Sequence, residues 1–267
     1  MIRDITIGQY YPAKSVIHKL DPRTKLFGTL VFIISVFLFH SIAGYAVATV
    51  FLAGMILIST VPVKFIFKGL KAIFMILLIT MVFNILLTPG EVLWKIGIFT
   101  ITKEGISMAV RMAIRLIYLV IGSSLMTLTT TPNQLTDGLE KSLRPLNKIH
   151  VPVHEIAMMM SIALRFIPIL LEETDKIMKA QIARGADFEN GNMIQKVKNM
   201  VPLLVPLFIS AFRRANDLAM AMEARCYHGG DHRTQMKPLH YAKRDHVAYL
   251  VLFVYLAVAI GFRVMGW

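Results

Sequence analysis

Two alanine–arginine pairs, Ala183-Arg184 and Ala224-Arg225, are the residues of this sequence best suited to gripping another molecule, and each follows a further alanine three positions earlier. Small side chains one and four positions before an arginine leave bare helix backbone beside it, so a second helix or a groove can approach closely. The guanidinium can then bind carboxylate or carbonyl oxygens in a bidentate manner. A solvated helix face would explain one such arginine, whereas two in matching contexts predict docking.

The segments that carry these arginines resemble each other at an offset of 41 residues. At this offset an acidic pair, Glu172-Glu173, aligns with a basic pair, Arg213-Arg214. If the two helices cross, these charges can pair and fix the crossing, although an exposed ion pair contributes only about 0–1 kcal/mol. Chance similarity between two amphipathic helices is the alternative explanation of the charge pattern.

The sequence contains no motif that indicates an enzyme. A G-x-x-x-x-G-K-[ST] loop is missing, so the chain is not expected to bind and hydrolyse ATP itself. H-E-x-x-H, G-x-S-x-G and a Cys/His metal spacing are missing as well. His228, Asp231 and His232 flank two glycines, and a polar turn after a helix explains them better than a metal site. Cys226, the single cysteine, is better explained as a small packing residue than as a reactive thiol.

The composition indicates a membrane protein. Of the 267 residues, 56% are hydrophobic and 17% are charged, whereas a soluble domain carries about 25% charged residues. The net charge of +13 comes from basic residues beside apolar segments, so anionic lipid headgroups and membrane topology explain it better than nucleic acid does. The first 25 residues lack an apolar signal-peptide core, so no cleavable signal peptide is expected.

Five apolar segments are predicted to cross the bilayer as helices, because an isolated strand would leave backbone groups unpaired in lipid. A span needs about 20 residues, so the first segment is short and is expected to be tilted or partly buried. A break at His40-Ser41 makes the first two segments a helical hairpin. The segments are Leu26–Phe39, Ile42–Thr60, Leu70–Thr88, Ile106–Thr130 and Val247–Val264.

The lysine and arginine residues predict the orientation of these spans. With the amino terminus in the cytoplasm, 24 of the 29 basic residues fall in inner segments and three in outer ones. Basic residues favour the cytoplasmic side, so the amino terminus is predicted inside and the carboxy terminus outside. The remaining two, Arg111 and Arg115, lie within the fourth span. At that depth they are expected either to contact a partner or to snorkel toward an interface.

Residues 131–246 are too long for an ordinary loop and are not low-complexity. Thr131-Pro132-Asn133-Gln134 indicates a capped helix start, and two longer helices are predicted at Val153–Ala186 and Met193–Tyr227, each followed by glycine. The predicted fold is an all-α membrane protein with about five transmembrane helices and a cytoplasmic domain of one short amphipathic and two long helices. The predicted domains are a four-span membrane domain at 1–130, the cytoplasmic domain at 131–246 and a final transmembrane helix at 247–267.

Several motifs carry a family resemblance that runs through nearly the whole chain. They are His18-Lys19-Leu20-Asp21-Pro22-Arg23-Thr24-Lys25-Leu26, Thr130-Thr131-Pro132, Leu164-Arg165-Phe166-Ile167-Pro168, and above all Ala183-Arg184-Gly185. With them the sequence resembles the transmembrane coupling (T) component of energy-coupling factor transporters, the family that includes the cobalt-transport permease subunit. The second of the family's two Ala-Arg-Gly motifs stands here as Ala224-Arg225-Cys226. The cysteine leaves the role of the arginine intact and puts in question whether the two helices end in the same way.

The resemblance implies a division of labour in the bacterial inner membrane. Two ATP-binding cassette ATPase subunits would bind the ends of the long helices, with Arg184 and Arg225 each entering a groove on one ATPase. A small substrate-binding membrane protein, the S component, would pack against the long helices and the spans and would topple when the ATPases move. ATP and magnesium then belong to the ATPases, and this chain binds no cofactor. The substrates of the family are typically vitamins or Ni²⁺ and Co²⁺ ions.

Two further classes of function are alternatives to this non-catalytic coupling subunit. A self-contained secondary transporter or channel would need polar groups near the midplane, yet apart from Arg111 and Arg115 the spans are poor in ionisable residues. A membrane-bound enzyme would need a catalytic constellation. Met158-Met159-Met160 supplies flexible apolar surface that can repack against several S components, or it is ordinary packing at the membrane interface. The expected partners are therefore two ATPases, one or more S components and the lipid bilayer, with no nucleic acid.

Overall fold

The computed structural model of the chain is almost entirely helical and describes residues 10–39, 41–96, 99–186, 188, 192–230, 236 and 238–264. The chain divides into two compact units. We call Gly8–Leu139 with Leu239–Trp267 the membrane unit, and Met1–Ile7 with Glu140–Pro238 the long-helix unit. The elements are α1 (Pro22–Leu38), α2 (Ile42–Ser59), α3 (Val63–Leu87), β1 (Val92–Ile96), β2 (Phe99–Thr102), α4 (Lys103–Thr129), α5 (Pro132–Leu143), a 3₁₀ segment (Arg144–Ile149), α6 (Val153–Ala183), α7 (Met193–Glu223) and α8 (Lys243–Val264).

Local capping groups begin the helices where the sequence predicts them. Asp21 precedes α1, where its side chain accepts a hydrogen bond from the backbone of Arg23 and Pro22 occupies the first turn. Thr131 and Gln134 form the predicted capping box of α5, in which each side chain accepts a hydrogen bond from the backbone N–H of the other at 3.3 Å. The start of the first helix after the spans is therefore fixed by two residues three positions apart.

The core of the membrane unit lies between α1, α2 and α8. The aromatic ring of Phe51 stacks on that of Tyr255 with 4.3 Å between their centroids. The Tyr255 hydroxyl lies 2.6 Å from the hydroxyl of buried Ser35, so its polar end is satisfied within the apolar packing. The buried residues of this cluster are Phe32, Val36, Phe39, Tyr45, Ala48, Leu52, Tyr255 and Ala259.

A short antiparallel hairpin, β1–β2, joins α3 to α4, and the sequence analysis did not anticipate it. Its strands, Val-Leu-Trp-Lys-Ile and Phe-Thr-Ile-Thr, are rich in β-branched and aromatic residues. Thr102 ties the hairpin to both helices, since its hydroxyl donates to the Thr88 carbonyl at 2.8 Å and accepts from the Gly105 backbone at 3.0 Å. The hairpin leaves the overall fold class as predicted.

Among the described helices, Lys103–Thr129, Val153–Ala183 and Lys243–Phe262 are each long and apolar enough to cross a membrane. α3 qualifies as a bent pair of segments with a bend of 58°. α1 has 17 residues and α2 has 18, fewer than the roughly 20 of a straight span. The sequence analysis predicted the short first span but not the length of α6, which it assigned to the cytoplasmic domain. By length and composition, α6 also qualifies to enter the membrane.

Candidate docking site

The carboxyl end of α6 presents Arg184 on a tightly capped turn. The backbone N–H of Arg184 donates to the Gln181 carbonyl at 3.0 Å, and that of Gly185 donates to the Ile182 carbonyl at 2.9 Å. The Ala186 N–H closes the turn on the Gln181 carbonyl at 3.0 Å. Gly185 has a φ of +88°, the left-handed conformation that commonly ends a helix.

The carboxyl end of α7 repeats this arrangement around Arg225. The backbone N–H of Arg225 donates to the Met222 carbonyl at 3.1 Å, that of Cys226 to Glu223 at 2.8 Å, and that of Tyr227 to Met222 at 3.0 Å. Every donor and acceptor lies 41 positions after its counterpart at the end of α6. The two helix ends therefore share one hydrogen-bond pattern, although one carries glycine and the other cysteine.

The cysteine departs from the family pattern in side chain but not in backbone conformation. Cys226 has a φ of +54°, which costs a residue with a Cβ atom about 1–2 kcal/mol. The hydrogen bonds of the turn keep the chain in this conformation despite that cost. Helix α7 ends at Glu223, not at the predicted Tyr227, because this turn interrupts it without a glycine to signal the position.

Replacing Cys226 with glycine is expected to stabilise the chain by about 0.5–1 kcal/mol, because glycine adopts a positive φ without strain but loses more entropy on folding. The thermal unfolding midpoint of the purified chain in detergent measures this gain. Gly185→Ala is the matched control and should lower the midpoint: the space around Gly185 is open, with no atom within 4 Å of an added Cβ, so only the φ of +88° opposes alanine. A C226G midpoint at or below that of the unmodified chain would contradict the strain assigned to Cys226.

Both predicted docking arginines point into open space. Arg184, Arg225 and the preceding Ala183 and Ala224 are all exposed. Neither guanidinium forms an ion pair with another residue in the described part of the chain. Two bare helix ends with free guanidinium groups are therefore available to carboxylates or carbonyl groups of other molecules.

Helices α6 and α7 pack against each other in an antiparallel manner. Arg214 Nη2 donates to Glu173 Oε2 at 3.1 Å. Further along, Gln181 Nε2 donates to the Pro202 carbonyl at 3.3 Å, so the partner on α7 moves backward as the residue on α6 moves forward. The sequence analysis aligned Glu173 with Arg214, and the structure brings these two side chains into contact.

Contact between equivalent positions of two similar antiparallel helices indicates a local two-fold axis. The Glu173–Arg214 pair lies 11 residues before Arg184 on one helix and 11 residues before Arg225 on the other. Each arginine is thus about 16 Å along its helix from this pair, in opposite directions. The two docking ends are therefore symmetrically disposed about the crossing.

The other predicted pair, Glu172 and Arg213, is arranged differently. Both side chains are exposed, and the ion pairs of the described residues do not join them. Glu172 and Arg213 lie one position before the contacting residues, about 100° around each helix. A helix crossing brings one residue of each adjacent pair to the interface and turns its neighbour toward solvent.

A double-mutant cycle on Glu173 and Arg214 is expected to give a coupling free energy below about 1 kcal/mol, because both side chains are part-exposed. Thermal unfolding of E173A, R214A and the double variant measures it. The pair Glu172 and Arg213 provides the matched cycle, in which no coupling is expected. A coupling well above 1 kcal/mol for Glu173 and Arg214 would show that this pair holds the helices together more strongly than its exposure allows.

A histidine at the start of α6 contacts the turn that follows α7, a feature the sequence analysis missed. His154 Nδ1 lies 2.8 Å from Glu140 Oε1. A Cβ atom on Gly230 would come within 2.1 Å of His154 Cδ2, so only glycine allows this approach. The Gly229-Gly230 sequence therefore lets the chain after Arg225 pack against the beginning of α6. Asp231 and His232 lie outside the described residues.

The amino-terminal motif of the family forms a polar cluster in the membrane unit. The Arg23 guanidinium donates to both carboxylate oxygens of Asp21 at 3.0 and 2.9 Å and lies 4.0 Å from the centre of the Tyr241 ring. Buried Asp245 accepts from the backbone N–H of Asp21 and of Ala242, both at 2.8 Å. This cluster joins the beginnings of α1 and α8.

Two further residues of the same motif extend the cluster to α4. Buried Lys25 donates from Nζ to the Thr129 carbonyl at 2.8 Å and to the His18 carbonyl at 3.2 Å. The imidazole of His18 lies 3.0 Å from the Tyr11 carbonyl, to which Nε2 donates. Burial lowers the pKa of His18 below its ordinary value, which favours the neutral ring. The motif therefore holds the chain before α1, the end of α4 and the start of α8 in one place.

The two arginines of the fourth span have different surroundings. Arg111 is exposed, which leaves it free to contact a partner. Arg115 Nη2 donates to the Phe39 carbonyl at 3.2 Å and to the Tyr45 hydroxyl at 3.4 Å. Its positive charge thus lies at the carboxyl end of α1, where the helix dipole favours a cation.

The three methionines near the start of α6 offer apolar surface. Met159 is 58% exposed and Met160 is 43% exposed, and Met158 is half-buried. Side chains of this flexibility can adapt to different partner surfaces.

Comparison with known proteins gives matches over the full length of the chain. The model of the family described as cobalt transport protein, CbiQ, matches residues 13–236. The energy-coupling factor transporter transmembrane protein EcfT of Clostridium kluyveri is 58% identical to this chain, over 99% of this chain and 98% of the relative. The proteins of the same name from Ruminiclostridium cellulolyticum and Bacillus subtilis are 54% and 47% identical, over 97% and 98% of this chain and 97% and 100% of the relatives. The matched regions include both arginine-bearing helix ends.

Proposed function

Because this chain belongs to the cobalt transport protein family, CbiQ, we propose that it is the non-catalytic coupling subunit of an energy-coupling factor importer. Its relatives carry the name of the transmembrane protein of such transporters, and its apolar helices make it a multi-pass membrane protein. In this proposal two ATPase subunits bind and hydrolyse ATP with magnesium, and a separate S component binds the solute. The chain transmits the movement of the ATPases to the S component.

The observation that carries this proposal is the pair of equivalent arginine turns at the ends of α6 and α7. Both turns have the same backbone hydrogen bonds, and both arginines are exposed. Two ATPase subunits of one fold have similar grooves, and two similar grooves require two similar ligands. The antiparallel contact between α6 and α7 supplies these ligands in a roughly symmetric arrangement.

The exposed apolar faces of the long helices suit the S component and lipid. On α7, Phe208 and Phe212 are 61% and 67% exposed and stack on each other. On α6, Met159 and Met160 form a similar exposed surface. Contiguous apolar surface of this kind is typical of a protein or membrane contact. We propose that the S component packs here, and that vitamins or Ni²⁺ and Co²⁺ ions reach the cell through it.

The proposed orientation has the amino terminus in the cytoplasm and the carboxy terminus outside the inner membrane, as the basic residues predict. The ATPases then meet the ends of α6 and α7 on the cytoplasmic side. The movement they impose on these ends must pass along the helices to the apolar faces.

Affinity purification of the tagged chain from membranes in mild detergent tests the proposal. Mass spectrometry should identify two ATPase subunits and one or more small membrane proteins, and the sample should hydrolyse ATP. The identity of the small proteins would indicate the solutes. Recovery of the chain alone, with no ATPase even after crosslinking in membranes, would contradict the proposal and favour a self-contained secondary transporter.

A further inference from the structure

A cavity of about 210 Å³ lies within the membrane unit, among α1, α2, α4 and α8. Buried Phe32 and Leu252 form its floor. Val16, Ile58 and Val247 line it as well and are more than half exposed, so the cavity opens to the surroundings between apolar side chains. An opening of this kind in a membrane protein faces acyl chains, not water.

The cavity is an elongated slot that runs along the helices. Its lining on α8 extends from Arg244 to Leu252, and its lining on α1 extends from Thr24 to Phe32, each about 12 Å along the helix. Glycines widen it, because a Cβ on Gly122 would come within 2.7 Å of the Phe32 ring. A slot of this length and shape fits a flexible hydrocarbon chain.

Polar groups gather at one end of the slot only. Thr24 is 2% exposed, and its hydroxyl has no hydrogen-bond partner in the described part of the chain. Lys25 uses two of its three ammonium donors on the carbonyl groups of His18 and Thr129, which leaves one. Arg244 is exposed and forms no ion pair with another described residue.

These three side chains lie at the beginnings of α1 and α8, the ends that the basic residues place on the cytoplasmic side. The neighbouring carboxylates do not line the slot: Asp21 holds Arg23, and Asp245 accepts two backbone N–H groups. The polar end of the slot therefore offers an unpaired hydroxyl and two cations, and the remainder is apolar. This is the pattern of an amphiphile with an anionic head.

We propose that this slot binds one anionic phospholipid of the inner leaflet. One acyl chain occupies the apolar length toward Phe32 and Leu252, and the phosphate contacts Arg244, Lys25 and the Thr24 hydroxyl. The bound lipid fills space between four helices that also carry the amino-terminal polar cluster. It therefore couples the packing of the membrane unit to the composition of the inner leaflet.

Native mass spectrometry of the purified full-length chain, exchanged into equal amounts of phosphatidylglycerol and phosphatidylcholine, tests this site. The unmodified chain should retain one phosphatidylglycerol with about tenfold preference. Arg244→Gln should reduce that preference to within twofold. Lys243→Gln is the matched control, since Lys243 is exposed and adjacent but does not line the slot, and it should leave the preference unchanged.

A second variant tests the apolar part of the slot. Ala248 lines the slot and Ala257, on the same helix, is exposed and does not. Ala248→Leu should lower retention of both lipids about tenfold, whereas Ala257→Leu should leave it unchanged, and both should keep the unfolding midpoint of the parent. Equal lipid preference in R244Q and K243Q, or equal retention in A248L and A257L, would overturn the proposal. Displacement of the bound lipid by free glycerol phosphate would also overturn it, because the site would then bind a phosphate without an acyl chain.

Discussion

Replacing both Arg184 and Arg225 with alanine is expected to detach the ATPases and to abolish ATP-driven uptake. Each substitution removes a charged group that hydrogen-bonds in the proposed groove, a loss of about 1.5–3 kcal/mol at each ATPase, or roughly 10- to 100-fold in affinity. A single substitution weakens one interface and leaves the other, so it should impair the complex only in part. Recovery of ATPase with the tagged chain and solute uptake by cells measure both effects.

A control for this double variant must remove two positive charges from the same helices without touching the helix ends. Lys179 on α6 and Lys198 on α7 are both exposed, and Lys179 pairs only locally with Asp175, at 3.2 Å. Replacing both lysines with alanine should leave ATPase recovery and uptake close to normal. Unchanged uptake in the R184A/R225A variant would contradict the proposed role of the two arginine turns.

Replacing Asp245 with asparagine is expected to destabilise the membrane unit by about 2–4 kcal/mol. Asp245 is 1% exposed, and its two oxygens accept the backbone N–H groups of Asp21 and Ala242. An amide supplies only one acceptor oxygen, so a buried N–H would face an NH₂ group and lose its partner. The substitution also removes negative charge beside Lys25 and Arg23, and an uncompensated buried charge is costly.

The unfolding midpoint of the purified chain in detergent measures the effect of D245N, with Asp217→Asn as the control. Asp217 is exposed on α7, and its substitution should change stability by less than about 0.5 kcal/mol. A D245N midpoint within the range of the D217N control would mean that the cluster at the beginning of α8 does not hold the membrane unit together.

The predicted helix boundaries were most accurate where local signals fix them. The Thr131 and Gln134 capping box begins α5 as predicted, and α6 and α7 begin at the predicted Val153 and Met193. The end of α7 was placed four residues too late, because Cys226 adopts the conformation usually given to glycine. A sequence reports such a turn only when glycine is present.

The contacts that were missed depend on residues far apart in the chain. Asp21 and Asp245 are 224 positions apart, and Arg115 reaches the Phe39 carbonyl across 76 positions. Neither contact leaves a periodic or local signal in the sequence. The 41-residue offset, in contrast, could be found in the sequence because both docking ends repeat it, but the antiparallel direction of α6 and α7 could not.

Photo-crosslinking in intact membranes tests the central claim most directly. A benzoylphenylalanine would replace Ala180 or Ala221, the exposed alanines four positions before Arg184 and Arg225, and Val50, which is 74% exposed on α2, would serve as the control. We predict that positions 180 and 221 each crosslink to an ATPase subunit with similar yield, and that position 50 does not. Failure of either position 180 or position 221 to crosslink to an ATPase would contradict an account in which two equivalent helix ends bind two ATPases.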